Sequence, residues 1–113
     1  MALTITPVPD IKYVWGESGR AQAYNLQPAA NDYPTGGYVI TASQVELGKL
    51  VGLDLLFTSG TGNSLLYSVV FIATGPLTNP QTQVNMVVSL GGTQIANGVD
   101  LSGTSWSVLA IGW

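Results

Sequence analysis

Apolar and polar residues alternate along most of the chain in short runs, with the period of two that is typical of β-strands. Clear runs cover residues 51–57, 64–74, 83–90 and 106–113, and clusters of Gly, Pro, Asn and Ser separate them. In the first run Val51, Leu53, Leu55 and Phe57 fall on one face. Short strands between such turn signals predict an all-β fold, a β-sandwich or a β-barrel.

The run at residues 64–74 has apolar side chains on both faces and contains no charge and no proline. Exposed, such a strand would be an aggregation hazard. We therefore predict that it lies in the centre of a sheet and that residues 59–63 join it to the preceding strand as a hairpin loop. Alternatively, another subunit closes one face of its sheet, since obligate interfaces resemble a domain core cut in half.

Residues 42–47 are the one stretch with a helical pattern. Ser43 is a candidate N-cap, and Glu46 three residues later completes the pattern of a capping box. Gly48 is predicted to end the helix. The fold therefore includes at most one short helix, and Gly91-Gly92 predicts a tight turn between two strands.

The first 19 residues differ from the rest of the chain. Residues 4–9 alternate β-branched residues with prolines, which fix φ and lack a backbone donor. Such a segment is extended but cannot pair fully inside a sheet. We therefore predict an extended N-terminal arm at residues 1–19 and one β-sandwich or barrel domain at residues 20–113. The arm lies at an edge of this domain or adds to a neighbouring subunit.

Charge is scarce along this chain of 113 residues. Only 8% of residues are charged, against an average of about 25%, and none lies between Leu55 and Val99. Soluble monomers normally keep interspersed surface charges, so we predict that partners cover much of this surface. A net charge of −3 argues against a nucleic-acid partner, which requires a basic surface.

Candidate chemistry is absent from the sequence. Without His or Cys there is no Ser-His-Asp or Cys-His nucleophile and no common zinc site. The carboxylates are too scattered to predict a catalytic pair, and Gly60-Thr61-Gly62 lacks the remainder of a dinucleotide motif. No apolar run approaches the length of a membrane-spanning helix. We predict that the protein is not an enzyme and has no cofactor, no metal and no membrane partner.

Candidate interface residues are chosen by type, because aromatic side chains anchor interfaces through their large area and polar handle. Trp113 is one example, since an indole at the last residue of the chain is expected to need a docking site. The candidates, including apolar residues of the arm, are Leu3, Ile5, Val8, Tyr13, Trp15, Tyr33, Tyr38, Trp106 and Trp113.

The stretch Tyr33–Ile40, followed by Leu47–Leu50, resembles small structural proteins encoded in tailed-bacteriophage head gene clusters, and the similarity continues weakly in residues 100–103 and 108–112. The resemblance implies a capsid decoration or cement protein, made in the host cytoplasm and bound to the exterior of the virion. Its partners would be the major capsid protein, whose capsomers it holds together, and itself, as a dimer or trimer. Two alternatives stay open: another phage assembly component, such as a head-tail connector, tail or fibre module, and a carbohydrate-binding β-sandwich.

Overall fold

A computed structural model describes residues 3–15, 19–60, 67–73 and 82–113. The strands are β1 Thr4–Trp15, β2 Gly19–Gln27, β3 Tyr38–Thr41, β4 Leu50–Gly60, β5 Tyr67–Ala73, β6 Gln83–Leu90, β7 Thr93–Gln94 and β8 Thr104–Gly112. They form two antiparallel sheets: sheet A in the order β1-β2-β8-β4, and sheet B in the order β3-β6-β5, with β7 paired to the end of β6. The all-β sandwich prediction is confirmed.

The core lies between the two sheets. Along β8 every second residue from Thr104 to Gly112 is buried, and Leu26 of β2 lies directly opposite Trp106. Sheet B contributes Met86 and Val88 of β6 to the same cluster. Because a slip of one residue would turn these apolar side chains outward, their alternation fixes the register of the central strands.

The strand predicted at the centre of a sheet lies at an edge instead. Among the described strands, β5 pairs only with β6 and ends sheet B. The predicted hairpin of β4 and β5 is also wrong, because β4 pairs with β8 in sheet A and β5 belongs to sheet B. In a two-sheet fold, consecutive strands can belong to different sheets, and the local sequence does not indicate where the chain crosses from one sheet to the other. The linking residues 61–66 lie outside the described part of the chain.

Strand β4 does not keep one apolar face. Its pairing with β8 shifts between Leu50 and Gly52 and again between Leu55 and Phe57. Each bulge adds one residue and moves the following side chains to the other face. Phe57 therefore pairs with the outward-facing Ser107 and is 74% exposed, contrary to the prediction that it shares a buried face with Leu53.

The predicted N-terminal arm lies along the edge of sheet A. Strand β1 pairs with β2, with an irregularity between Val8 and Lys12. Leu3 is buried in the core, and Ile5 packs against it. Pro7 is tolerated because an edge strand needs backbone donors on one side only.

The one helix in the described ranges is a short 3₁₀ turn at Ala42–Val45. Its N-cap is Thr41, whose hydroxyl accepts from the Gln44 backbone N–H at 3.3 Å, while the Gln44 side chain accepts from the Thr41 N–H at 2.8 Å. Glu46, with φ of 60°, ends the helix. The predicted cap at Ser43 and the predicted end at Gly48 are therefore each wrong by two residues. Thr41, the last residue of β3, has the extended backbone conformation that an N-cap requires.

The backbone requires glycine at a turn and at one close approach of two segments. Gly91 and Gly92 have φ of 63° and 85° and connect Leu90 to Thr93, which confirms the predicted tight turn. At Gly112 an added Cβ would overlap the Lys49 carbonyl oxygen. This close approach lets the Trp113 carbonyl accept from the N–H groups of Gly48 and Lys49 at 2.7 and 2.9 Å, which ties the end of β8 to the start of β4.

Candidate functional site: the aliphatic face and edge of sheet B

The outer face of sheet B is apolar and exposed. Cross-strand pairing places Val39 beside Asn85, Asn85 beside Ile72, and Val87 beside Val70. Val39, Val70 and Ile72 are 48%, 55% and 51% exposed. We call Val39, Val70, Ile72 and Val87 the aliphatic face. Strands β3, β5, β6 and β7 contain no acidic or basic residue, and exposed apolar patches of this kind mark interaction surfaces.

The free edge of β5 borders the aliphatic face. Tyr67, Val69 and Phe71 point inward and pack against the core, so the strand is fixed in place by its inner side chains. It pairs with β6 over its whole length of seven residues without a register shift. Its outer edge therefore presents a regular row of backbone N–H and C=O groups with no partner strand in the described part of the chain.

The other three edge strands carry features that discourage pairing with another chain. Strand β1 contains Pro7, Lys12 and an irregular register. Strand β4 contains Asp54 and two register shifts. Strand β3 has only four residues. Prolines, charges, bulges and short length are the usual ways to protect sheet edges, and among the described edges only β5 has none of them.

The side of the sandwich formed by β4 and β5 is incompletely closed. A cleft of about 210 Å³ lies between residues 50–53 of β4 and the side chains of Phe71, Ala73 and Val84. Further along β4, Leu55, Leu56 and Phe57 are exposed. A second cavity, of about 290 Å³, lies on the opposite side near Leu3, Tyr38 and Gln44. Strand β4 therefore combines one wall of the first cleft with an exposed apolar segment further along the strand.

Two tyrosines tie the loop before β3 to sheet B. The Tyr33 hydroxyl accepts from the Val88 N–H at 3.1 Å and from the Gln94 side chain at 3.0 Å. The Tyr38 hydroxyl donates to the Asp32 carboxylate at 2.8 Å, and the two rings meet edge to face at 5.5 Å. Burial, together with the bond to Asp32, raises the pKa of Tyr38. This cluster positions the backbone of the loop and of β6, and the second oxygen of the Asp32 carboxylate is buried without a hydrogen-bond partner among the described residues.

A second polar cluster holds the 3₁₀ helix against sheet A. The buried Tyr24 hydroxyl donates to the Val45 carbonyl at 2.7 Å and lies 3.3 Å from the Glu46 carboxylate, while the Arg20 guanidinium donates to the Glu46 carbonyl. Burial, aided by the negative charge of Glu46, raises the pKa of Tyr24 to about 12. The neutral phenol is therefore the form that the fold stabilises.

Replacing Tyr24 with Phe is expected to lower the free energy of unfolding by about 1–2 kcal/mol at neutral pH, because the buried Val45 carbonyl loses its donor. The Tyr24 contribution is complete below pH 10 and is lost as pH rises towards 12. The stability difference between the wild type and the variant should therefore shrink over this range. Urea unfolding at several pH values measures it, with the exposed Tyr13→Phe as control. A constant difference would contradict the assignment.

No group of three or more metal-ligating side chains comes together in the described ranges. Within the same residues, no helix is long and apolar enough to cross a membrane.

The interface residues predicted from the sequence differ in how far the fold exposes their side chains. Leu3, Tyr33, Tyr38 and Trp106 are buried in the core, where they are not available to a partner of the folded domain. Ile5 and Val8 are partly buried in β1, and the side chain of Trp15 lies outside the described part of the chain. Tyr13 and Trp113 are exposed.

Sequence reasoning missed the aliphatic face, because Val and Ile are also the most frequent strand residues. One signal pointed to it: the long uncharged stretch from Leu55 to Val99 contains β5, β6 and β7. Comparison of the chain with protein-family models, with curated proteins and with solved structures finds no match in any of the three.

Proposed function

We propose that the chain is a structural protein of a virion, a capsid decoration protein that docks on the outer surface of the shell through the aliphatic face of sheet B. The observation that carries this proposal is the exposure of Val39, Val70 and Ile72 on a sheet without acidic or basic side chains. A contiguous face of this kind is costly to leave in water, and its burial against a shell would contribute about 25 cal/mol per Å² of apolar area.

Two further observations support this function. Leu55, Leu56 and Phe57 of β4 are also exposed and add apolar contact area to the described surface. The sequence resemblance at Tyr33–Ile40 is to small structural proteins encoded in tailed-bacteriophage head gene clusters, and it supports a virion structural protein. A head-tail connector, tail or fibre module stays the alternative. In this function the major capsid protein is the partner, and the work done is the bridging of neighbouring capsomers on the capsid exterior.

The carbohydrate-binding alternative has less support. Sugar rings stack on exposed aromatic faces, and Tyr33, Tyr38 and Trp106 are all buried. Tyr13 and Phe57 are exposed, but they lie on β1 and β4, the two opposite edges of sheet A. The described strands of sheet B carry no exposed aromatic side chain.

Co-sedimentation with shells tests the proposal. Shells are assembled from the major capsid protein encoded in the same genome and are mixed with the purified chain. We expect the wild type to pellet with the shells and Val39→Lys to bind at least about tenfold more weakly, since a charge would be placed in an apolar contact. Ala29→Lys, in an exposed loop outside sheet B, is the control and should bind as the wild type does. Equal binding by Val39→Lys, or no binding by the wild type, would refute the proposal.

A further inference from the structure

We propose that β5 pairs with β5 of a second copy of this chain, antiparallel and about a two-fold axis at Val70, so that the two copies share one continuous sheet B. The inference rests on the assembly function proposed above, and it names the first partner in that assembly. It concerns the edge of β5, whereas shell docking concerns the face of the sheet.

The outer edge of β5 is unprotected. A regular, uncharged strand of seven residues presents its unpaired backbone groups beside the exposed side chains of Val70 and Ile72. In solution such an edge accepts any compatible strand. The other described edge strands, β1, β3 and β4, carry prolines, charges or bulges or are very short. These features protect them against pairing with another chain. The absence of such protection at β5 is explained if β5 pairs with another chain as part of the protein's function.

A second copy is the occupant that fits this edge. Two β5 strands match in length and twist, and they carry no charges that would repel each other. With Val70 opposite its own copy, all seven residues are paired, Val69 lies opposite Phe71, and Ser68 lies opposite Ile72. Inward side chains then meet inward side chains, and outward ones meet outward ones, as a continuous sheet requires. Antiparallel self-pairing is also the arrangement that a two-fold axis produces, and it closes after two copies.

The same axis brings the open sides of the two sandwiches together. Strand β4 borders the cleft that Phe71 and Ala73 line, so the β4 strands of the two copies approach each other when the β5 strands pair. The two aliphatic faces become neighbours on one side of the shared sheet, which doubles the apolar surface available for a shell.

Single cysteines test this register directly, because the chain contains no cysteine. Directly opposite residues in an antiparallel pair have Cα atoms about 4.5–5.5 Å apart, within the range of about 4.4–6.8 Å that a disulfide spans. Val70→Cys is therefore expected to form a covalent dimer under mild oxidation. Ser68→Cys alone should not, since two Ser68 positions would be roughly 13 Å apart, whereas a mixture of Ser68→Cys and Ile72→Cys should form the mixed dimer.

The matched control is Val14→Cys, an exposed valine on the edge strand β1 of sheet A. It should remain uncross-linked under the same conditions. Cross-linking at Val14 as efficient as at Val70, or no cross-linking at Val70, would overturn the proposal.

Sedimentation velocity gives a second, independent measurement. The wild type is expected to sediment as a dimer. The Val70→Lys substitution should raise the dissociation constant of this dimer at least about a hundredfold, because two ammonium groups would face each other at the axis. Val14→Lys should remain a dimer. Circular dichroism checks that both variants are folded, which the exposure of Val70 and Val14 favours. A monomeric or trimeric wild type would overturn the two-fold pairing.

The two proposals fail in different ways. A chain that cross-links at Val70 but does not pellet with shells would keep the dimer and lose the capsid function. A chain that pellets with shells as a monomer would keep the capsid function and lose the dimer.

Discussion

Trp106→Ala is expected to lower the free energy of unfolding by about 3–5 kcal/mol, because it removes a large side chain from a fully packed position. The Trp106 side chain is 0% exposed. It lies between Leu26 of β2 and Thr58 of β4, at inward positions in the middle of sheet A. The substitution would leave a cavity in the core between the two sheets.

Trp106→Phe is the matched control for this prediction. Among the described residues the indole N–H of Trp106 has no hydrogen-bond partner, so phenylalanine loses volume but breaks no hydrogen bond. We expect its effect to be less than half that of alanine. Urea unfolding followed by far-ultraviolet circular dichroism measures both variants, and an alanine effect below about 1 kcal/mol would contradict the assignment of Trp106 to the core.

Deletion of residues 1–15 is the second large effect, and it is expected to cost about 3–6 kcal/mol. The deletion removes β1, exposes the edge of β2, and takes Leu3 and Ile5 from the core. Burial of an aliphatic side chain is worth about 1.5–3 kcal/mol, and the lost strand pairing adds to this. The truncated chain should have a clearly lower melting temperature.

Thr6→Ala provides the comparison, because Thr6 is an exposed residue of the same strand and its replacement leaves β1 paired. It should melt close to the wild type. If the truncated chain melted at the wild-type temperature, β1 would contribute nothing to the stability of the domain, and a free arm that reaches a neighbour would be the better description.

Sequence alone predicts the fold class because the central strands separate polar from apolar residues. In β8 the inward positions of Trp106 and Val108 alternate with Ser105 and Ser107, and this contrast is visible without a structure. Strand β5 lacks the contrast, since Val70 and Ile72 are as apolar as Val69 and Phe71. The sequence therefore identified a strand but not which of its sides is covered. The position of β5 at the edge depends on which strands lie beside it in the sheet, and among the described strands only β6 does.

The candidate site was less predictable than the fold. Selection by residue type favoured Tyr33, Tyr38 and Trp106, but large aromatic side chains also fill the core most effectively, and these three are buried there. The bulge between Leu55 and Phe57 placed Phe57 outside, and a bulge depends on how β4 pairs with β8. The sequence did show that no charged residue lies between Leu55 and Val99, the region that contains β5, β6 and β7.

The uncharged composition of sheet B also determines how its contacts respond to dissolved salt. Ion pairs at a protein surface weaken as ionic strength rises, because mobile ions screen charges over about 10 Å at 0.1 M. Contacts made by valine and isoleucine contain no such term, and sulfate strengthens them by favouring apolar burial. An outer layer attached through β3, β5 and β6 would therefore stay bound in brine and in dilute buffer alike.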